Sequence, residues 1–113
     1  MKLLKELCDI HAPSGEEYVI KDFILNYIQK NQDYWKVKPI LHYGDGFQDN
    51  LIMVFGKYPR TAIFAHLDSI GFTVKYNNEI IRIGSPTTEE GIILTGEDSK
   101  GKIEGKIIKN EKK

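Results

Sequence analysis

Residues 61–74 read Thr61-Ala62-Ile63-Phe64-Ala65-His66-Leu67-Asp68-Ser69-Ile70-Gly71-Phe72-Thr73-Val74, and two kinds of strand pattern meet there. Thr61 to Ala65 is short and apolar, and Lys57-Tyr58-Pro59-Arg60 precedes it. Such a run predicts a strand covered on both faces. Beyond Asp68 the pattern changes. Ile70, Phe72, Val74 and Tyr76 alternate with smaller or polar residues, as in a strand with one face in solvent. A change of fold character is therefore expected near residues 68–75. Residues 1–70 are assigned to one domain and 71–113 to part of another.

Upstream, Leu51-Ile52-Met53-Val54-Phe55 is a second apolar run, closed by Gly56. Before it, Ile20, Phe23, Ile24, Tyr27 and Ile28 follow the i, i+3, i+4, i+7, i+8 spacing of a helix packed on one face. Ser14-Gly15-Glu16-Glu17 has the spacing of a capping box, with Ser14 and Glu17 each accepting from the other's amide. Leu3, Leu4, Leu7 and Cys8 mark a shorter amphipathic helix, with Cys8 read as a small buried hydrophobe. Pro13 ends that helix, because the residue before a proline is pushed toward extended backbone. Two helices followed by buried strands predict an α/β layer architecture.

Downstream, Asn77-Asn78 suits a hairpin turn, since asparagine tolerates positive φ. Glu79–Ile83, Ile92–Thr95 and Gly101–Ile108 read as short strands of a small antiparallel module. Lys109 to Lys113 is a charged tail.

Composition narrows the function classes. The 113 residues fit one average domain, and 16 basic residues balance 16 acidic ones. That balance gives no electrostatic reason to expect nucleic acid or an anionic membrane. Trp35 and the six tyrosines form no stacking array with basic residues. No apolar run approaches the roughly 18 residues of a membrane span. The start, Met1-Lys2-Leu3-Leu4-Lys5-Glu6, has no long apolar core and reads as a helix rather than a secretory signal. A single cysteine rules out an intrachain disulfide and a cysteine-rich zinc site. A cytoplasmic location is expected.

His66 and Asp68 are the candidate site. His66 follows the expected strand 61–65, and ligands of open α/β sheets bind outside the carboxyl ends of strands. A carboxylate two residues on can take the imidazole nitrogen that faces away from a metal, fixing the tautomer. By spacing alone the pair also fits a strand-end histidine capped by a neighbouring aspartate. His11 reads as a loop residue, His42 as solvated, and Asp49-Asn50 as turn chemistry. Glu89-Glu90 reads as an exposed loop. Gly96 to Gly101 lacks the Gly-Lys-Ser/Thr ending of a phosphate loop.

Taken in order, Leu3 to Cys8, His11-Ala12-Pro13-Ser14-Gly15-Glu16-Glu17, Asp49-Asn50-Leu51-Ile52 and Ala65-His66-Leu67-Asp68-Ser69-Ile70-Gly71 resemble the N-terminal part of the glutamyl/deblocking aminopeptidases. These are dinuclear-zinc peptidases, often labelled endoglucanases. Leu94 to Asp98 and Gly101 to Gly105 resemble the family's inserted β domain. The resemblance implies an α/β/α peptidase layer followed by the start of a small β-rich insert. It implies His66 as a metal ligand and Asp68 as the catalytic-site residue orienting it. It implies two zinc ions acting on a peptide substrate, and a homo-oligomer in the complete protein. One imidazole does not choose among zinc, cobalt and manganese. In the family the other ligands and the general base follow the insert, so this chain is expected to be incomplete and inactive alone. Two alternatives are a non-catalytic self-associating module and another His-x-Asp zinc hydrolase of the carboxypeptidase or deacylase kind.

Overall fold

The computed structural model describes residues 1–109. In chain order they form helix α1 (Lys2–Asp9), helix α2 (Tyr18–Asn31), a 3-10 turn (Gln32–Tyr34), and strands β1 (Ile40–Gly44) and β2 (Gln48–Val54). Strands β3 (Gly71–Val74), β4 (Ile80–Ile83), β5 (Ile93–Asp98) and β6 (Gly101–Lys106) follow, with a 3-10 turn at Tyr76–Asn78. The strands make three two-stranded antiparallel sheets, β1–β2, β3–β4 and β5–β6. The protein thus mixes helices with small antiparallel sheets. Among the described residues, the one parallel pairing is an isolated bridge between Pro13 and Ser69. The charged tail lies outside the described residues beyond Lys109.

Each hairpin turn follows from local chemistry. In β1–β2, the amide of Phe47 donates to the Gly44 carbonyl at 2.9 Å, and Gly44 and Gly46 both take positive φ. In β3–β4, Asn77 and Asn78 sit at φ 60° and 57°, the pair of left-handed residues that a type I′ turn needs. Their register pairs Val74 with Ile80 and Phe72 with Arg82. In β5–β6, the Asp98 carboxylate accepts from the Lys100 amide at 2.8 Å. That local bond holds the corner.

Helix α2 carries the best-formed packing. Ile20 and Ile28 are buried, while Phe23, Ile24, Leu25 and Tyr27 are half-buried. The helix lies against β2, and Lys21 Nζ reaches Asp49 Oδ1 at 3.1 Å. Asp49 and Asn50 lie at the start of β2, and Asn50 keeps turn bonds there, its backbone N and Nδ2 donating to Phe47 O at 3.0 and 2.9 Å. The entry to α2 also differs from the expected capping box. Pro13 to Glu16 closes a turn, Glu16 N donating to Pro13 O at 2.8 Å, with Gly15 at φ 98°. That is the type II arrangement, which calls for glycine at its third position. Ser14 becomes the turn's corner, and Glu17 Oε2 accepts from the Gly15 amide at 2.8 Å instead.

Three further expectations change. Cys8 is exposed, and no residue of α1 is buried. Its apolar stripe is only half covered. Leu51 to Phe55 is not covered on both faces: β2 alternates, with Ile52 exposed between half-buried Leu51 and Met53. Thr61 to Ala65 is not a strand, and Ile63 and Phe64 are 93% and 92% exposed. A strand needs a neighbouring edge for its backbone groups. Among the described residues no element offers one to this run.

Among the described residues few are buried: Ala12, Pro13, Ile20, Ile28, Pro39, Pro86 and Ile107. The accessible surface is 10125 Å², against about 6,300 Å² for a compact monomer of this size. The radius of gyration is 18.3 Å, against about 13 Å for a compact chain. The elements lie along an elongated body rather than around one core. Among the described residues, no helix is long and apolar enough to cross a membrane.

Candidate metal-ligand site

The segment bearing His66 is held from one side only. Ahead of it runs the unpaired stretch 61–65. Behind it, residues 69–71 lie against the loop His11–Pro13. Ser69 N donates to Ala12 O at 2.8 Å, and Ala12 N donates to Ser69 Oγ at 3.0 Å. Ala12 is fully buried, so these bonds satisfy backbone groups that water does not reach. A β-carbon added at Gly71 would lie 3.8 Å from His11 Cε1 and 3.9 Å from Pro13 Cβ. The loop therefore covers the start of β3. Gly84, at φ 75°, closes the other side, and a β-carbon there would meet Ile70 Cγ2 at 2.9 Å.

Within this frame His66 and Asp68 come together. His66 Nδ1 lies 3.0 Å from the Asp68 backbone carbonyl and 3.4 Å from Asp68 Oδ1. A carbonyl oxygen can only accept, so Nδ1 carries the proton of the neutral ring and Nε2 keeps its lone pair. The nearer acceptor is thus the main chain of Asp68, with its carboxylate a longer second contact. The imidazole is 86% exposed, so Nε2 is open to a ligand. Attraction between protonated His66 and the Asp68 carboxylate is weak at this exposure, within about 1 kcal/mol.

Of the other candidates, His11 lies in the loop against Gly71, and the rest lie elsewhere. His42 sits on β1 opposite Ile52 and stacks on Phe47, ring centroids 6.4 Å apart. Asp49 is engaged by Lys21. Glu89 and Glu90 are exposed in the approach to β5. Among the described residues no three His, Cys, Asp or Glu side chains converge to hold a metal ion. His66 fits as one donor, and a zinc site takes three or four. Two shallow concavities, one lined by Leu25, Ile28, Leu41 and Tyr43 and the other by Glu6, Phe23, Tyr27 and Lys30, do not include it.

The tie between Ala12 and Ser69 has no local signature in the sequence. The two are 57 positions apart, and neither residue type signals a pairing.

No family model matches the chain. Over 79 residues, 70% of its length, it is 29% identical to "Putative aminopeptidase FrvX" of Escherichia coli strain K12. The match spans 20% of that protein's length. The similarity supports an aminopeptidase-like relationship at the level of peptidase class, and no finer grouping.

Proposed function

We propose that these residues form the N-terminal portion of a metal-dependent aminopeptidase of the glutamyl/deblocking type. In this reading His66 is one metal ligand and Asp68 its orienting partner. The remaining ligands and the general base come from residues outside this sequence, and the substrate is the N-terminal end of a peptide. Residues 1–70 belong to the peptidase layer and 71–113 to the β-rich insert. The observation that carries the reading is the His66 ring. Its Nδ1 is engaged by Asp68 and its Nε2 is open, the tautomer a metal-binding imidazole adopts when its far nitrogen is held. The similarity to "Putative aminopeptidase FrvX" over 70% of the chain supports it. The exposed run Thr61–Ala65 supports it too, as an apolar segment that further chain could pair into a strand. The test is to express the reading frame with whatever follows Lys113 and assay release of N-terminal residues from peptides. Activity abolished by a chelator and restored by zinc, cobalt or manganese is expected. A metal-independent product, or none from a frame that continues, would overturn the assignment.

A second reading rests on the exposed surface. Ile63, Phe64 and Tyr58 are largely exposed and Phe55 is about half exposed, so several large apolar side chains of this stretch are uncovered. Such a stretch can be buried by self-association, as unpaired backbone and apolar side chains favour edge pairing. A non-catalytic self-associating module predicts oligomers of the chain that persist in chelator during sedimentation. A strictly monomeric chain would remove it.

A further inference from the structure

We infer that Ser69 and the loop His11–Pro13 are positioning elements that set the tautomer and direction of the His66 ring. This rests on the proposal that His66 is a metal ligand, but its geometry concerns only residues of this chain. The Asp68 carbonyl and the Ser69 amide belong to one peptide unit, which is planar and trans. Its N–H and C=O therefore point in opposite directions. The N–H end donates to Ala12 O at 2.8 Å, and the C=O end accepts from His66 Nδ1 at 3.0 Å. Fixing one end fixes the other. The Ser69 hydroxyl adds a second tie by accepting from Ala12 N at 3.0 Å. Ala12 itself is buried and anchored beside Pro13, whose parallel bridge to Ser69 continues the contact.

The chain of consequence runs from the N-terminal loop, through one peptide plane, to a nitrogen more than fifty residues away in sequence. The loop keeps the Asp68 carbonyl aimed at Nδ1. The proton stays there, and the lone pair stays on Nε2. Neither Ser69 nor Ala12 touches a metal or substrate in this account. They act through the Asp68 carbonyl.

The decisive measurement is made on the full 113-residue chain without metal. Imidazole nitrogen shifts are read at a pH where His66 is neutral, together with hydrogen exchange at the residue-69 amide. The unmodified chain is expected to show mainly the Nδ1–H tautomer and a protected residue-69 amide. Ser69→Ala is expected to lower that protection and move the tautomer ratio about threefold to tenfold toward Nε2–H, the scale of one neutral hydrogen bond. Ser69→Thr keeps the hydroxyl and is expected to restore both. An Nε2–H ring or an unprotected amide in the unmodified chain would overturn the inference, and this arm needs no variant to fold. Unchanged values in a folded Ser69→Ala chain would overturn it as well. Because the readout is metal-free, a tautomer shift in Ser69→Ala would stand even if His66 proved unnecessary for peptidase activity. In that case the functional reading alone would fail.

Discussion

The two stretches that flank His66 have opposite fates. Thr61 to Ala65 is the more apolar, yet it pairs with nothing among the described residues and leaves Ile63 and Phe64 almost wholly exposed. Asp68 to Gly71 is the more polar, yet it is tied to Ala12 and Pro13 by two hydrogen bonds and a bridge. Apolar character creates a demand for burial but does not specify the partner. Directed hydrogen bonds specify the partner, and here they close over the buried Ala12. His66 lies between a stretch still requiring a neighbour and one that has found it.

The contrast can be tested by substitution, beginning with the greatest effect. Ile28 is 1% exposed and Ile63 is 93% exposed. Ile28→Ala should cost about 2–4 kcal/mol in chemical denaturation, whereas Ile63→Ala should stay within about 0.5 kcal/mol. Equal costs would mean that residues 61–65 are packed in solution after all. Gly84→Ala comes next. It forces a side chain into positive φ and against Ile70, so a loss of about 1–2 kcal/mol is expected by the same method. No loss would show that Ile70 is free to shift, and that the anchored side of the comparison is looser than described.

Lys21→Ala removes the tie between α2 and Asp49. The Lys21 side chain is mostly buried, so a cost of about 1 kcal/mol is expected, less in high salt. The smallest effect belongs to α1. The Asp9 carboxylate accepts from Lys5 Nζ at 2.6 Å, and this hydrogen bond and charge raise the Lys5 ammonium above the usual 10.5. A raised lysine value means the contribution is complete below 10.5 and disappears as pH climbs through the folded-state value. Circular dichroism should show a slight loss of helix in that alkaline range, absent in Asp9→Asn.

Features set by local chemistry were legible in the sequence. The Asn77-Asn78 turn, the helix through Ile20 and Ile28, and the short strands of the second half all rest on rules acting within a few residues. Features that need a distant partner were not. The burial of Cys8 and the strand at 61–65 both presupposed a facing layer, which these residues do not supply. The capping box at Ser14 lost to a type II turn that only Gly15 makes cheap. At the site, the closeness of His66 and Asp68 could be read from their spacing. The nearer acceptor turned out to be the Asp68 main chain, held by Ala12, and no local pattern announces a contact across 57 positions.

The most direct test is the metal content of the protein expressed with whatever residues its reading frame supplies after Lys113, with and without His66→Ala. The variant is expected to lose bound metal and aminopeptidase activity together while its fold is retained. Unchanged metal content and unchanged activity in a folded His66→Ala protein would contradict it.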